Sequence, residues 1–230
     1  MTAFPGIRFQ PASDRSLLVY VGDAITMESH RRVRALLYLI EREPIPGVRN
    51  LHPAYCSLLI TFDPLSMDHT TLEAALRPYV ARVDDVRFPP SRQVDIPVCY
   101  GGEFGPDLEE LASLRGVTAT HAIELHASAD YTVYFIGFVP GFAYLGGLPD
   151  ALATPRLSTP RRVVVPGSVA IGSNQTGVYP VASPGGWRVI GRTPATMFSP
   201  DRDPMSLLAI GDRVRFVPIS NDRFEELARA

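Results

Sequence analysis

Apolar and polar positions follow two different periods along the first 90 residues. Residues 17–21 form a short apolar run that predicts a β-strand, and residues 25–42 carry apolar side chains at helical spacing. The pattern then repeats, because residues 54–62 predict a second strand and residues 68–83 a second helix. This order predicts a small α/β sandwich domain in which helices pack on a sheet.

From residue 131 the pattern changes to short β-branched or aromatic runs separated by Gly and Pro. Such runs occur at 131–139, 161–172, 186–191 and 212–219. Many short strands at close spacing predict a closed or nearly closed β-barrel.

The stretch between these two patterns contains the expected domain boundary. Segment 86–97 has a Pro-Pro pair and ends in an X-Pro step, which favour extended chain over helix. Two short helices are expected in residues 101–128, before the first barrel strand. We therefore expect an α+β protein with domains at 1–90 and 91–230.

Composition and charge narrow the classes of function. The net charge of -2 and the pI near 6.2 give no electrostatic footprint for nucleic acid or an anionic membrane. The first residues lack the basic and apolar regions of a signal peptide, so a cytoplasmic protein is expected. None of the five histidines pairs at the i, i+4 spacing of a helical zinc site, and we expect no metal site.

All 22 basic residues of the sequence are arginines. A P-loop, a Schiff-base lysine and a Ser–Lys nucleophile pair each require lysine, so the 230 residues contain none of them. Any phosphate must be bound by arginine, by backbone N–H groups or by a partner protein.

Two Gly- and Pro-rich stretches are the candidate functional loops. Residues 138–149 place three aromatic residues among glycines and prolines, and residues 172–193 combine amides and hydroxyls with SPGGW and GRTP. Aromatic walls with a few polar groups are typical of small-ligand pockets. The alternative is structural: the aromatics plug the barrel end, the glycines turn corners, and Arg192 pairs with a carboxylate such as Asp212.

His126 is the candidate general acid or base, because histidine titrates near neutrality and this one precedes the first barrel strand. A helical histidine of this kind is more often a capping or core residue. The sequence shows no nucleophile–base pair to support a catalytic role.

Five motifs occur in order over residues 95–219 and carry a resemblance to a known family. They are IPVCYGGEFGPDLEELA, ELHASADYTVYFIGFVPGFAYLGGLP, TPRLSTPRRVVVPGSVAIG, QTGVYPVASPGGWRVIGRTP and LLAIGDRVRFVPI. The series resembles the family of the B-type subunit of bacterial 5-oxoprolinase, whose members are also known as allophanate hydrolase subunit 1 and as KipI-type kinase inhibitors.

The resemblance implies a fold, a reaction and partners. The fold is a small amino-terminal α/β sandwich domain followed by a cyclophilin-like β-barrel. The reaction is the ATP-dependent opening of 5-oxo-L-proline to L-glutamate, with ATP as co-substrate and with the C-type and A-type 5-oxoprolinase subunits as partners. By position, the family's binding motifs for a small acidic substrate fall on Phe138, Pro140, Gly141, Phe142, Tyr144, Gln175, Thr176, Tyr179, Ser183, Gly185, Gly186, Trp187 and Arg192.

The same motifs serve two other functions. One is inhibition of a sensor histidine kinase, in which the aromatic loop would accept a proline of the kinase. The other is allophanate hydrolysis beside urea carboxylase. The sequence does not separate these alternatives from 5-oxoproline opening.

Overall fold

A computed structural model describes residues 6–229. Within them the chain forms two compact units, which meet in sequence at Pro90 and Ser91. Among the described residues, no helix combines the length and the apolar composition needed to cross a membrane.

The first unit is an antiparallel four-stranded sheet with two helices. The strands lie in the order β1-β2-β4-β3, and α1 packs on β4 and β3. The elements are β1 (Arg8–Ser13), β2 (Ser16–Tyr20), α1 (Met27–Arg42), β3 (Val48–Pro53), β4 (Ser57–Phe62) and α2 (His69–Val80).

The expected elements of this unit are present, and two further strands lie at the sheet edges. Thr26 caps α1, because its hydroxyl accepts a hydrogen bond from the Ser29 backbone N–H at 3.1 Å. Leu36 of α1, Ile60 of β4 and Leu72 of α2 are fully buried. The edge strands β1 and β3 pair with β2 and β4 respectively.

The second unit is built around a closed barrel. Its elements are β5 (Gln93–Tyr100), α3 (Leu108–Arg115), α4 (Ala119–Ser128), β6 (Tyr131–Ile136), β7 (Ala143–Gly146), a 3-10 turn (Asp150–Leu152), β8 (Arg161–Val164), β9 (Ser168–Gly172), β10 (Gln175–Val178), β11 (Ser183–Gly185), β12 (Arg188–Arg192), β13 (Arg213–Pro218) and α5 (Asn221–Arg229).

Seven strands close the barrel in the order β10-β7-β6-β13-β5-β12-β9, with β9 and β10 paired to complete the circle. The β13–β5 pair is parallel, whereas the other neighbours are antiparallel. Strands β8 and β11 form a separate two-stranded sheet. The predicted α+β class with a closed β-barrel is confirmed.

The buried apolar side chains of the second unit form two clusters. The larger one includes Ile96, Val133, Leu145 and Phe216 together with the inner face of α3 and α4. The smaller one is aromatic and lies around Phe142. The fold therefore separates the aromatic loop residues from the main barrel core.

A buried carboxylate ties α3 to the barrel. Asp107, just before α3, accepts hydrogen bonds from the Val189 backbone N–H at 2.6 Å and from the Arg161 guanidinium at 2.6 Å. The Asp107 N–H in turn donates to the Val189 carbonyl at 2.9 Å. One aspartate thus joins the start of α3, strand β12 and strand β8.

Gly116 and Thr118 separate the two helices that precede the barrel strands. Gly116 ends α3 in the left-handed region, with φ of 68°. Thr118 then caps α4 by accepting a hydrogen bond from the His121 N–H at 3.1 Å. The two short helices expected in residues 101–128 are therefore present.

Replacing Thr118 with alanine is expected to lower the free energy of unfolding of the second unit by about 1 kcal/mol, because the first turn of α4 loses its cap. Urea unfolding followed by the fluorescence of Trp187, the single tryptophan of the chain, measures the change. Thr120→Ala is the matched control, since Thr120 is exposed within the helix. Equal stability of the two variants would contradict the assignment.

Candidate functional site

A strained turn opens the aromatic loop. Phe138 has φ of 69°, a left-handed conformation that bulky residues rarely adopt, and its side chain is 61% exposed. Hydrogen bonds on both sides hold the turn: the Gly137 N–H donates to the Phe142 carbonyl, and the Phe142 N–H to the Val139 carbonyl. Backbone strain of this kind concentrates at functional sites.

Phe142 lies at the centre of an aromatic cluster. Its ring makes edge-to-face contacts with Phe138, Tyr144, Tyr179 and Trp187 at centroid distances of 5.7, 4.9, 5.2 and 5.5 Å. This geometry suits the ring quadrupoles and fixes each ring relative to the others.

These rings line a cavity of about 240 Å³. Seven of the residues expected to bind substrate reach it, and the structure adds three others that the sequence did not single out. The expected ones are Phe138, Phe142, Tyr144, Tyr179, Gly185, Gly186 and Trp187, and the additions are Arg156, Pro160 and Pro184. We call this cavity the aromatic cleft.

Glycine is required at one position of the cleft lining and at one position of the strained turn. A Cβ on Gly185 would lie 2.3 Å from the Tyr179 hydroxyl oxygen, so a side chain there would displace the tyrosine. Gly141 has φ of 84°, and its Cβ would lie 2.5 Å from the Cβ of Phe198. Gly185 lines the cleft without presenting a chemical group of its own, whereas Gly141 belongs to the turn and does not line the cleft.

The polar groups of the cleft are two phenols and one guanidinium. Burial raises the pKa of Tyr144 and of Tyr179, so both hydroxyls stay protonated at neutral pH. The charge of Arg156 acts against that rise at both tyrosines. Its Cζ lies 5.7 Å from the centroid of the Trp187 ring, within the range of a cation–π contact.

Besides Gly141 and Arg192, four further candidates lie outside the lining of the aromatic cleft. Thr176 is buried inside the barrel and Gln175 beside it, on β10, while Ser183 is buried on β11. Pro140 is exposed in the strained turn.

His126 is part of the barrel core. Its side chain is fully buried, its Nδ1 lies 2.8 Å from the Tyr100 hydroxyl, and its Nε2 lies 2.9 Å from the Thr176 hydroxyl. The ring stacks on Phe216 at 4.5 Å. Burial lowers the pKa of His126 from 6.5 to about 3, so the imidazole is neutral. The geometry favours the core role, which the sequence left open beside the role of general acid or base.

Arg192 faces a different cavity, of about 270 Å³, which it shares with Pro166, Thr193 and Phe224. Its Nε donates to the Pro166 carbonyl at 3.0 Å, and its Cζ lies 5.9 Å from the Phe224 ring centroid. The alternative pairing of Arg192 with Asp212 is wrong, because Asp212 pairs with Arg92. The basic residue at the aromatic cleft is thus Arg156 instead.

The comparisons with known proteins agree with the motif series. Residues 7–208 match the family described as "Carboxyltransferase domain, subdomain C and D". The B-type subunit of 5-oxoprolinase from Bacillus subtilis (strain 168) is 38% identical over 226 residues, which are 93% of this chain and 94% of that protein. The chain belongs to the family of 5-oxoprolinase B-type subunits.

Other members of the family show similar agreement. The B-type subunit of 5-oxoprolinase from Escherichia coli O157:H7 is 43% identical over 199 residues, which are 84% of this chain and 88% of that protein. A crystal structure of TTHA0988 superposes with a TM-score of 0.79 at 35% identity and covers 91% of this chain. This chain spans 41% of the TTHA0988 chain.

Proposed function

We propose that this chain is a non-autonomous subunit of an ATP-dependent 5-oxoprolinase, and that its aromatic cleft forms one wall of the binding site for 5-oxo-L-proline. The identity of 38–43% to proteins named as B-type subunits of 5-oxoprolinase carries the proposal. The proposed location is the cytoplasm, where ATP is available.

The chemistry of the cleft is that of binding rather than of bond breaking. Among the ten described residues that line it, none is a Ser, Cys, His, Asp or Glu. A nucleophile paired with a base is the usual signature of an autonomous hydrolase. A cleft that orients substrate for groups on partner proteins fits these side chains better.

The proposed overall reaction consumes 5-oxo-L-proline, ATP and two water molecules, and releases L-glutamate, ADP and phosphate. The γ-phosphoryl group passes to the lactam carbonyl oxygen as the bond to ADP breaks. Water then attacks the activated carbon, the ring C–N bond breaks, and phosphate is released with the second water. The proposed partners, the C-type and A-type 5-oxoprolinase subunits, supply the groups for these steps.

Reconstitution tests the proposal. The chain alone is expected to hydrolyse no ATP in the presence of 5-oxo-L-proline. Its mixture with the C-type and A-type partners is expected to release glutamate and phosphate in equal amounts. A complete complex with no ATP hydrolysis dependent on 5-oxoproline would refute it, and activity with allophanate alone would identify the other amide as the substrate.

Phe138→Ala is expected to reduce the turnover of the complex about tenfold, because the exposed ring is a cleft wall. Its free energy of unfolding should stay within about 1 kcal/mol of the parent protein, since the ring is already 61% exposed. Leu65→Ala, at a side chain that is 96% exposed in the first unit, is the control. Unchanged turnover in Phe138→Ala would exclude this ring from the site.

A further inference from the structure

We propose that Arg156 is the specificity-determining residue of the aromatic cleft, and that its guanidinium binds the carboxylate of the substrate while the rings hold the flat lactam. This inference rests on the proposed function for the identity of the ring. The anion subsite itself rests on the position, anchoring and charge of Arg156.

The backbone on both sides of Arg156 is fixed to the sheet. The Leu157 N–H donates to the Gly186 carbonyl at 2.7 Å, and the Arg188 Nε donates to the Pro155 carbonyl at 3.0 Å. Thr154 also exchanges two backbone hydrogen bonds with Ser173, at 3.0 and 2.8 Å. The segment is therefore held in place although it has no regular secondary structure, and little further ordering is needed when a ligand binds.

The charge of Arg156 is available for a ligand. Neighbouring arginines are occupied, since Arg161 pairs with Asp107 and Arg188 pairs with Glu110. Within residues 6–229, by contrast, no carboxylate lies within ion-pair distance of the exposed Arg156 guanidinium. The Arg156 guanidinium contacts the face of the Trp187 ring, so its N–H groups can donate to a ligand.

The combination of rings and one cation selects a class of ligand. A guanidinium binds a carboxylate through two parallel N–H···O bonds, and these charge-assisted bonds are stronger than neutral ones. Flat amide rings stack on aromatic faces. The described residues of the cleft lining include no side-chain carboxylate that could bind a cationic group of a ligand. The preferred ligand is thus a small, flat amide that carries a carboxylate.

The arginine expected from the sequence to bind the acid does not contact this cleft. Arg192 lines other cavities, where its Nε is bound to the Pro166 carbonyl. Arg156 lies in the quoted motif TPRLSTPRRVVVPGSVAIG rather than in GRTP, and its place in the fold, not the motif, marks it as a ligand-binding residue.

Fluorescence of the full chain tests the inference, because Trp187 is the single tryptophan and lines the cleft. Three probes are titrated: 5-oxo-L-proline; 2-pyrrolidinone, which is the same ring without the carboxylate; and N-acetylglycine, an open-chain amide with a carboxylate. The variants are Arg156→Gln and the matched control Arg162→Gln, which removes the same charge from an exposed residue of β8 outside the cleft lining.

Arg156→Gln is expected to raise the Kd of 5-oxo-L-proline about tenfold or more and to leave that of 2-pyrrolidinone unchanged. Arg162→Gln should bind all probes like the parent chain. Equal carboxylate affinity in the two variants, or no saturable response of the parent chain to either carboxylate, overturns the inference.

The outcome separates this inference from the proposed function. Binding of N-acetylglycine that depends on Arg156, without binding of 5-oxo-L-proline, supports the anion subsite and counts against the lactam substrate. Turnover of 5-oxo-L-proline by the complex with the same KM in both variants supports the proposed function and overturns the role of Arg156.

Discussion

Replacing Asp107 with alanine is expected to lower the free energy of unfolding of the barrel unit by about 3–5 kcal/mol. The change leaves the Arg161 guanidinium without its carboxylate and the buried Val189 N–H without its acceptor. Each loss costs free energy because the remaining partner keeps its desolvation penalty without the compensating bond. Urea unfolding at pH 7.5, followed by Trp187 fluorescence, measures the effect.

Glu109→Ala is the matched control for Asp107→Ala, since Glu109 is an exposed acidic residue in the first turn of α3. It should change stability by a few tenths of a kcal/mol. The double variant Asp107→Ala/Arg161→Met should be more stable than Asp107→Ala alone, because it removes the unpaired charge as well. A loss below about 1 kcal/mol in Asp107→Ala would show that the three elements do not depend on this carboxylate.

Acidification is expected to destabilise the barrel unit through His126, by about 3 kcal/mol between pH 7.5 and pH 4. The pKa of the buried ring is lowered to about 3 from an ordinary value of 6.5, so the unfolded chain takes up the proton first as the pH falls. The stability contributed by the neutral ring is therefore complete above pH 6.5. It is lost progressively as the pH falls towards 3.

His126→Gln removes this titration and should lose less stability between pH 7.5 and pH 4 than the parent protein, although it starts from a lower value. His121→Gln, at an exposed histidine of the same helix, should keep the parent pH dependence. Unfolding curves at several pH values, read from Trp187, give the comparison. Parallel pH profiles of the parent and His126→Gln would mean that the ring titrates normally in the folded state.

Hydrophobic pattern predicted the interior elements of the first unit but not the edges of its sheet. The strands β2 and β4 and both helices bury apolar side chains at regular spacing. The edge strands show no such period: β1 is almost entirely exposed and includes Pro11, and β3 includes Arg49, Asn50 and Pro53. Such strands are specified by backbone pairing with a neighbour, which a single sequence does not display.

The candidate site was predictable from the sequence only in part. Aromatic residues and glycines in fixed motifs identified most of the cleft wall. The roles of the arginines depended on the path of the chain in three dimensions: Arg156 enters the cleft because its segment bonds to Gly186 and Arg188, whereas Arg192 points to another cavity. The choice between the two roles of His126 depended on its burial, which residue type does not reveal.

The parallel pair of β5 and β13 affects how the protein can form during its synthesis. Residue 93 pairs with residue 213, so the barrel circle joins positions that are far apart in the chain. Pairing over such a separation carries a large loop-closure cost and slows folding. On the ribosome the sheet of the first unit can form early, while the barrel stays open, with strand edges exposed, until β13 has emerged. That interval is when the nascent protein is most exposed to aggregation and most in need of a chaperone.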